Sequence, residues 1–118
     1  NITNASYFVD LSTVPISQDR RESIVNHINR EKVLVYSKDY CPFCIATKKL
    51  LKRLGISANV YDFNLEESEK ATEIQAILYE LTGQKSVPNI FIKGKHIGGN
   101  REIQHLAKTG ALMRMLEE

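Results

Sequence analysis

Cys41 and Cys44 are the only cysteines of the chain, and they stand in the run Cys41-Pro42-Phe43-Cys44. Two thiols at this spacing can exchange an electron pair with an outside disulfide, supply half of a zinc site, or close a small structural loop. A structural zinc ion takes four ligands, and the remaining donors would have to come from His27, His96 and His105, which show no ligand-like spacing. A structural disulfide here would close a loop too short to constrain the unfolded chain much. Redox exchange is the reading that uses these residues best.

The flanking residues place the dithiol. Val33-Leu34-Val35-Tyr36-Ser37 is β-branched and apolar, as a buried strand requires, whereas Ala46, Thr47, Leu50, Leu51 and Leu54 recur at helical spacing. The cysteines therefore open a helix. Unpaired backbone N–H groups and the positive end of the helix dipole favour thiolate over thiol at that point, so Cys41, nearer the tip, is the expected nucleophile. Lys38, a little upstream, adds positive charge beside the sulfur. Pro42 has no N–H and a fixed backbone angle, which stiffens the turn into the helix. Phe43, lying between two redox cysteines, has to be partly exposed.

A chain of 118 residues with 42% hydrophobic and 25% charged content is one ordinary globular domain, large enough for a core without staples. Lys+Arg 16 against Asp+Glu 14 leaves a net charge of +2, which indicates no nucleic-acid partner. No run is long and apolar enough for a membrane span or a signal-peptide core. The expected location is cytoplasmic, or an organelle matrix if a targeting segment has been removed ahead of Asn1, which is not a methionine. Asn1-Ile2-Thr3 and Asn4-Ala5-Ser6 match the glycosylation pattern and read as chance matches in a polar tail, because a secreted chain usually carries more cysteine.

Residues 1–15 lack periodicity and end at Pro15, which predicts a flexible or loosely docked extension, the folded domain taking 16–118. Ser17 or Asp19 caps a helix to about Arg30 with Ile24 and Ile28 on its apolar stripe. The first strand covers 32–37. Gly55 stops the dithiol helix and 58–63 alternates as a second strand. A helix over 67–82 places Ala71, Ile74, Ile77, Leu78 and Leu81 on one face before Gly83. Residues 87–93 form a strand that turns at Gly94 into 95–97, and Gly98-Gly99 leads to a last helix over 100–116 that Gly110 divides. This order predicts an α/β chain: one central four-stranded mixed sheet with helices on both faces, the first two strands parallel and the hairpin antiparallel. The dithiol then falls at the C-terminal end of the first strand, where open α/β sheets place their active sites.

Lys38-Asp39-Tyr40-Cys41-Pro42-Phe43-Cys44, followed by Ser86-Val87-Pro88 and Gly98-Gly99-Asn100, resembles the dithiol glutaredoxins of the thioredoxin-fold superfamily over about Ser17 to Leu116. The resemblance implies a thioredoxin-like fold and a monomeric oxidoreductase. Glutathione is its implied cosubstrate, and protein–glutathione mixed disulfides and protein disulfides its substrates. It makes Cys41 the attacking thiolate and Cys44 the resolving thiol. It also implies a glutathione seat: Lys38 and Phe43 beside the dithiol; a cis Pro88 that leaves the Val87 backbone, next to Ser86, to pair with the tripeptide like an added strand; Gln75 and Lys85 toward the glycine carboxylate. Gly99, Asn100, Arg101 and Glu102 complete it, with the helix start taking the γ-glutamyl carboxylate and Glu102 its ammonium. Many relatives carry a small hydroxyl or acidic pair after Gly-Gly-X, whereas Arg101-Glu102 stands here.

Other readings share parts of this pattern. A thioredoxin-like protein disulfide reductase typically carries Trp before Cys-Gly-Pro-Cys, and this chain has no Trp. An iron–sulfur dimer would bridge a cluster through two first cysteines and two glutathiones, but relatives that do so usually have serine or glycine near the dithiol, where Pro42 stands. A catalytically silent binding module does not fit two retained cysteines.

Overall fold

The computed structural model describes residues 9–117; both glycosylation-like triplets lie outside them. In chain order the elements are α1 (Gln18–Arg30), β1 (Val33–Ser37), α2 (Pro42–Arg53), β2 (Asn59–Asp62), α3 (Ser68–Thr82), β3 (Asn89–Ile92), β4 (Lys95–Gly98), α4 (Asn100–Thr109) and α5 (Ala111–Glu117). The sheet order is β2-β1-β3-β4, with β1 parallel to β2 and antiparallel to β3, and β3 antiparallel to β4. This is the expected mixed four-stranded sheet.

All five residues of β1 are buried because the strand has a neighbour on each edge and helices on each face. Alternation along the strand then sorts its side chains between two cores. Leu34 and Tyr36 join Ile24, Ile28, Phe63, Ile74, Ile77, Leu78 and Phe91 beneath α1 and α3. Val33 and Val35 join Leu50, Leu51, Ile90, Ile92, Ile103 and Leu112 beneath α2, α4 and α5.

Local chemistry explains where elements start and stop. The Ser17 side chain caps α1 by accepting from the Arg20 N–H at 3.1 Å, while Gly83 ends α3 in the left-handed conformation at φ 77°. Lys93 (φ 52°) and Gly94 (φ 79°) together make the tight hairpin turn, so Lys93 belongs to the turn and not to the strand. At its other end β3 starts at Asn89 and not at Val87, because Pro88 has no N–H to give a ladder and the Val87–Pro88 peptide is cis. β2 likewise stops at Asp62, where Phe63–Leu65 coils into a 3-10 turn that drives Phe63 fully into the core. Leu81, expected on the apolar face of α3, is instead 40% exposed in its last turn, and Ala76 takes a buried place. Gly110 does divide the last helix, at φ 83°.

Upstream of α1, Leu11–Thr13 forms a 3-10 turn and Ile16 packs on the α1/α3 core. Glu73 of α3 receives the Ser17 N–H and the Arg20 guanidinium, each at 2.7 Å, and so ties the start of α1 to α3.

Phe63 packs against Tyr36 with ring centroids 6.4 Å apart and lies under the Lys38 ammonium at 5.7 Å. Phe63→Ala should cost about 3–5 kcal/mol, the range for truncating a buried aromatic ring. Urea denaturation should show this as a lower midpoint with little change in slope, and a midpoint left in place would contradict the packing described.

Candidate active site

Cys41 is the N-cap of α2 and Pro42 its first residue. The Cys41 N–H donates to the Lys38 carbonyl at 3.2 Å, which folds residues 38–41 into a tight approach to the helix. The Asp39 N–H donates to Asn64 Oδ1 and Asn64 Nδ2 donates to Asp39 Oδ1, both at 2.9 Å, so this approach is clamped to the turn after β2. One helical turn then separates two different environments. Cys41 is partly exposed, at the point where the unpaired N–H groups of the first turn favour an anion. Cys44 is fully buried.

Burial pushes the Cys44 thiol above its ordinary range. Hydrogen bonds from the Ser37 hydroxyl and the Lys38 N–H act the other way, and the neighbouring Cys41 adds to the rise. The Lys38 amide nitrogen is 3.5 Å from the Cys44 sulfur. The Lys38 ammonium donates to Gln75 Oε1 at 3.3 Å and lies over the Phe63 ring.

A groove of about 350 Å³ runs beside the dithiol, lined by Phe43, Ser86, Val87, Pro88, Gly99, Asn100, Arg101 and Glu102. Cys41 Sγ points to the Val87 carbonyl at 3.8 Å. Phe43 is 64% exposed on the rim, and Tyr40, which the sequence reading left out, is 67% exposed on the approach to Cys41. Lys38, Gln75 and Lys85 do not line this groove. They form a separate flank, in which Gln75 takes the Lys38 ammonium and donates from Nε2 to the Lys85 carbonyl at 2.7 Å, while the Lys85 ammonium lies 5.0 Å from the centre of the Tyr79 ring.

Two further residues shape the groove without a signal in the sequence. Gln84 Nε2 donates to the Ser86 and Pro88 carbonyls, both at 2.9 Å, and so brackets Val87. The buried Thr47 hydroxyl donates to Asn100 Oδ1 at 3.0 Å and joins α2 to the start of α4. Both are common polar residues whose partners are distant carbonyl or amide groups, and only the fold reveals them.

The two glycines before α4 have different roles. Gly98 has φ 120°, and a Cβ there would sit 2.9 Å from Glu102 Cγ and Oε1. Gly99 has an ordinary φ of −112°, and a Cβ there would meet the Pro88 carbonyl at 3.4 Å, at the groove wall. The conformational demand thus falls on Gly98, and the demand for space on Gly99. Glu102, expected to receive a ligand ammonium, has Oε1 accepting the Gly99 N–H at 2.7 Å. That bond holds its carboxyl below the usual range.

A four-stranded mixed sheet with helices on both faces, a Cys-x-x-Cys at the end of its central strand and a cis-proline across from it defines a thioredoxin-fold dithiol oxidoreductase. The family model for glutaredoxin matches residues 33–97. The chain is 40% identical over 104 residues to Glutaredoxin-1 of Saccharomyces cerevisiae, covering 86% of this chain and 94% of that one. It superposes on the wheat glutaredoxin crystal structure with a TM-score of 0.75 at 42% identity, covering 85% of this chain and 92% of that one. It superposes on the crystal structure of the buckwheat glutaredoxin–glutathione complex with a TM-score of 0.73 at 33% identity, covering 86% and 94%. The chain belongs to the glutaredoxin family and, with both cysteines in place, is a glutathione-disulfide oxidoreductase.

Gly98→Ala should destabilise by about 1–3 kcal/mol, the cost of holding a residue in a disfavoured backbone region, while Gly99→Ala should cost less in stability and more in ligand affinity. Thermal melts paired with glutathione kinetics separate the two, and equal effects would contradict the distinction. Because Glu102 has a depressed folded value, its cap contributes stability above the ordinary carboxylate range and loses it as pH falls through that folded value. Glu102→Gln should therefore be slightly less stable at neutral pH, by a few tenths of a kcal/mol given its exposure, with the melting difference vanishing in acid.

Proposed function

We propose that this glutaredoxin removes glutathione from proteins and reduces protein disulfides as a monomer, with the groove beside Cys41 as the glutathione seat. The observation that carries the reading is the position of Cys41 Sγ, 3.8 Å from the Val87 carbonyl, which lines the groove beside the dithiol. An extended peptide laid there presents its backbone to Val87, which lies outside the β3 ladder, as an added strand would. Its α-carboxylate end reaches the amide groups at the start of α4, and its other carboxylate faces the Lys38, Gln75 and Lys85 flank.

The chemistry follows from depth. The Cys41 thiolate attacks the glutathione sulfur of a mixed disulfide, forms Cys41–S–S–glutathione and releases the protein thiolate. A second glutathione then attacks the glutathione sulfur, frees Cys41 and leaves as glutathione disulfide. This cycle needs one enzyme thiol. With a disulfide inside a protein, Cys41 becomes joined to the substrate, and the thiol placed one turn behind it, Cys44, is the internal group that can displace it.

Cys41→Ser should abolish both reactions. Cys44→Ser should retain reduction of a glutathionylated peptide and lose most of the reduction of an intramolecular protein disulfide. A coupled assay with glutathione and glutathione reductase on both substrates measures this; equal loss in the two for Cys44→Ser would remove the division of labour.

A further inference from the structure

Gln84 is half-buried behind the groove, and its side chain does not line the groove itself. Its Nε2 lies 2.9 Å from both the Ser86 and the Pro88 carbonyl, and a Cβ placed on Gly99 of the opposite wall would come within 3.9 Å of the same nitrogen. Carbonyl oxygens only accept, so the atom that faces two of them is the amide NH2, with both its protons used. The other end of the side chain is thereby fixed. Oε1 is turned to His96 Nε2 at 3.2 Å, and because an amide oxygen also only accepts, His96 carries a proton on Nε2. His96 pairs across the strands with Phe91, ring centroids 5.4 Å apart, and Phe91 is buried in the core beneath α1 and α3. At its base the Gln84 N–H donates to Thr82 Oγ1 at 3.0 Å, at the end of α3.

We propose that Gln84, oriented by His96, is a positioning residue for glutathione: it ties the carbonyls on either side of Val87 and so presents the Val87 backbone to the tripeptide. The inference rests on the reading of the groove as the glutathione seat. Val87 precedes the β3 ladder, which starts at Asn89, and Pro88 has no N–H to give, so no neighbouring strand holds this stretch. One side-chain amide takes the place of the missing ladder. The two outer carbonyls converge on Gln84 Nε2, while the middle one, that of Val87, faces Cys41 Sγ at 3.8 Å.

The part of His96 is to give the amide one orientation. Turned over, Gln84 would set its oxygen against two carbonyl oxygens and its NH2 against the His96 N–H, and all three contacts would repel. Gln84 touches neither sulfur nor the groove interior, so it acts on the binding of the tripeptide and not on the nucleophile. Without it, residues 86–88 would have to be ordered by the arriving ligand, and that ordering cost would appear as weaker affinity.

Glutathione titrated into the full chain carrying Cys41→Ser, followed by amide NMR and calorimetry, tests this. The amide signals of Val87 and of Gly99 to Glu102 should shift; signals that stay in place would overturn the groove reading and this inference with it. Given those shifts, adding Gln84→Met, which keeps length and volume but has no donor, should raise the glutathione Kd about tenfold or more, the scale of two lost hydrogen bonds. In the enzyme with both cysteines, Gln84→Met should raise KM for a glutathionylated peptide by a similar factor, with kcat and the rate of Cys41 alkylation by iodoacetamide nearly unchanged. His96→Phe keeps a ring against Phe91 and loses the N–H; it should raise Kd about threefold alone and no further on top of Gln84→Met. Nitrogen NMR of the imidazole should find the proton on Nε2. An unchanged Kd in Gln84→Met with the shifts intact, or an alkylation rate that falls as far as affinity does, overturns the positioning role of Gln84. A proton found only on Nδ1, or a His96→Phe effect that persists in Gln84→Met, overturns the orientation by His96. Should Gln84→Met fail to fold, the tautomer and His96→Phe, at an exposed position, decide the matter, an unchanged Kd in His96→Phe counting against the proposal.

Discussion

The chain leaves β1 at Ser37 and has begun α2 by Pro42, and this short passage sets the position of both sulfurs. It can do so because neither end is free to move. β1 is locked on both faces, with Leu34 and Tyr36 in one core and Val33 and Val35 in the other. α2 is seated through Cys44, Thr47, Leu50 and Leu51. Between these anchors, the Asp39–Asn64 pair and the Cys41 N–H bond to Lys38 leave little choice of path. A Cys-x-x-Cys at this junction must place one sulfur at the helix tip and the other a turn below it. The two cysteines differ in chemistry because they differ in depth, and depth comes from packing remote from either.

The walls of the groove are held in the same way, by bonds from residues that do not line it. Gln84 holds the carbonyls on either side of Val87, and its own Oε1 lies 3.2 Å from His96 Nε2 on β4. Thr47 holds Asn100, and Gln104, a turn further along α4, donates to the same oxygen at 3.1 Å. Each of the three segments that form the groove is thereby referred to the sheet or to α2. A shift of one segment would break a buried or half-buried hydrogen bond, whose loss costs more than a surface bond because water does not replace it.

Periodicity alone announced most of the scaffold. The β-branched run of β1, the spacing of Leu50 and Leu51, the row Ile74, Ile77 and Leu78 and the stops at Gly83 and Gly110 all report burial or backbone conformation that a residue type expresses locally. The groove was legible for a different reason: three short motifs far apart in sequence carry it, and resemblance supplied what spacing could not, namely that they meet. What stayed hidden was polar and non-local. Nothing in Gln84 or Thr47 marks them as holding other residues in place. Nor does a lysine near a cysteine reveal that its ammonium will also meet a glutamine and an aromatic face. Leu81 and Lys93 were misplaced because an apolar or strand-like pattern runs on past the point where the helix loses its cover or the turn begins.

Glu102 brings these threads to the ligand. Its carboxylate accepts from the Gly99 N–H at the N-cap of α4, in the manner of a capping box. If the groove seats glutathione as proposed, a γ-glutamyl carboxylate arriving at that helix end meets a carboxylate that already holds the Gly99 N–H. Arg101, exposed beside it on the same turn, offsets the negative charge that accumulates when both carboxylates are present.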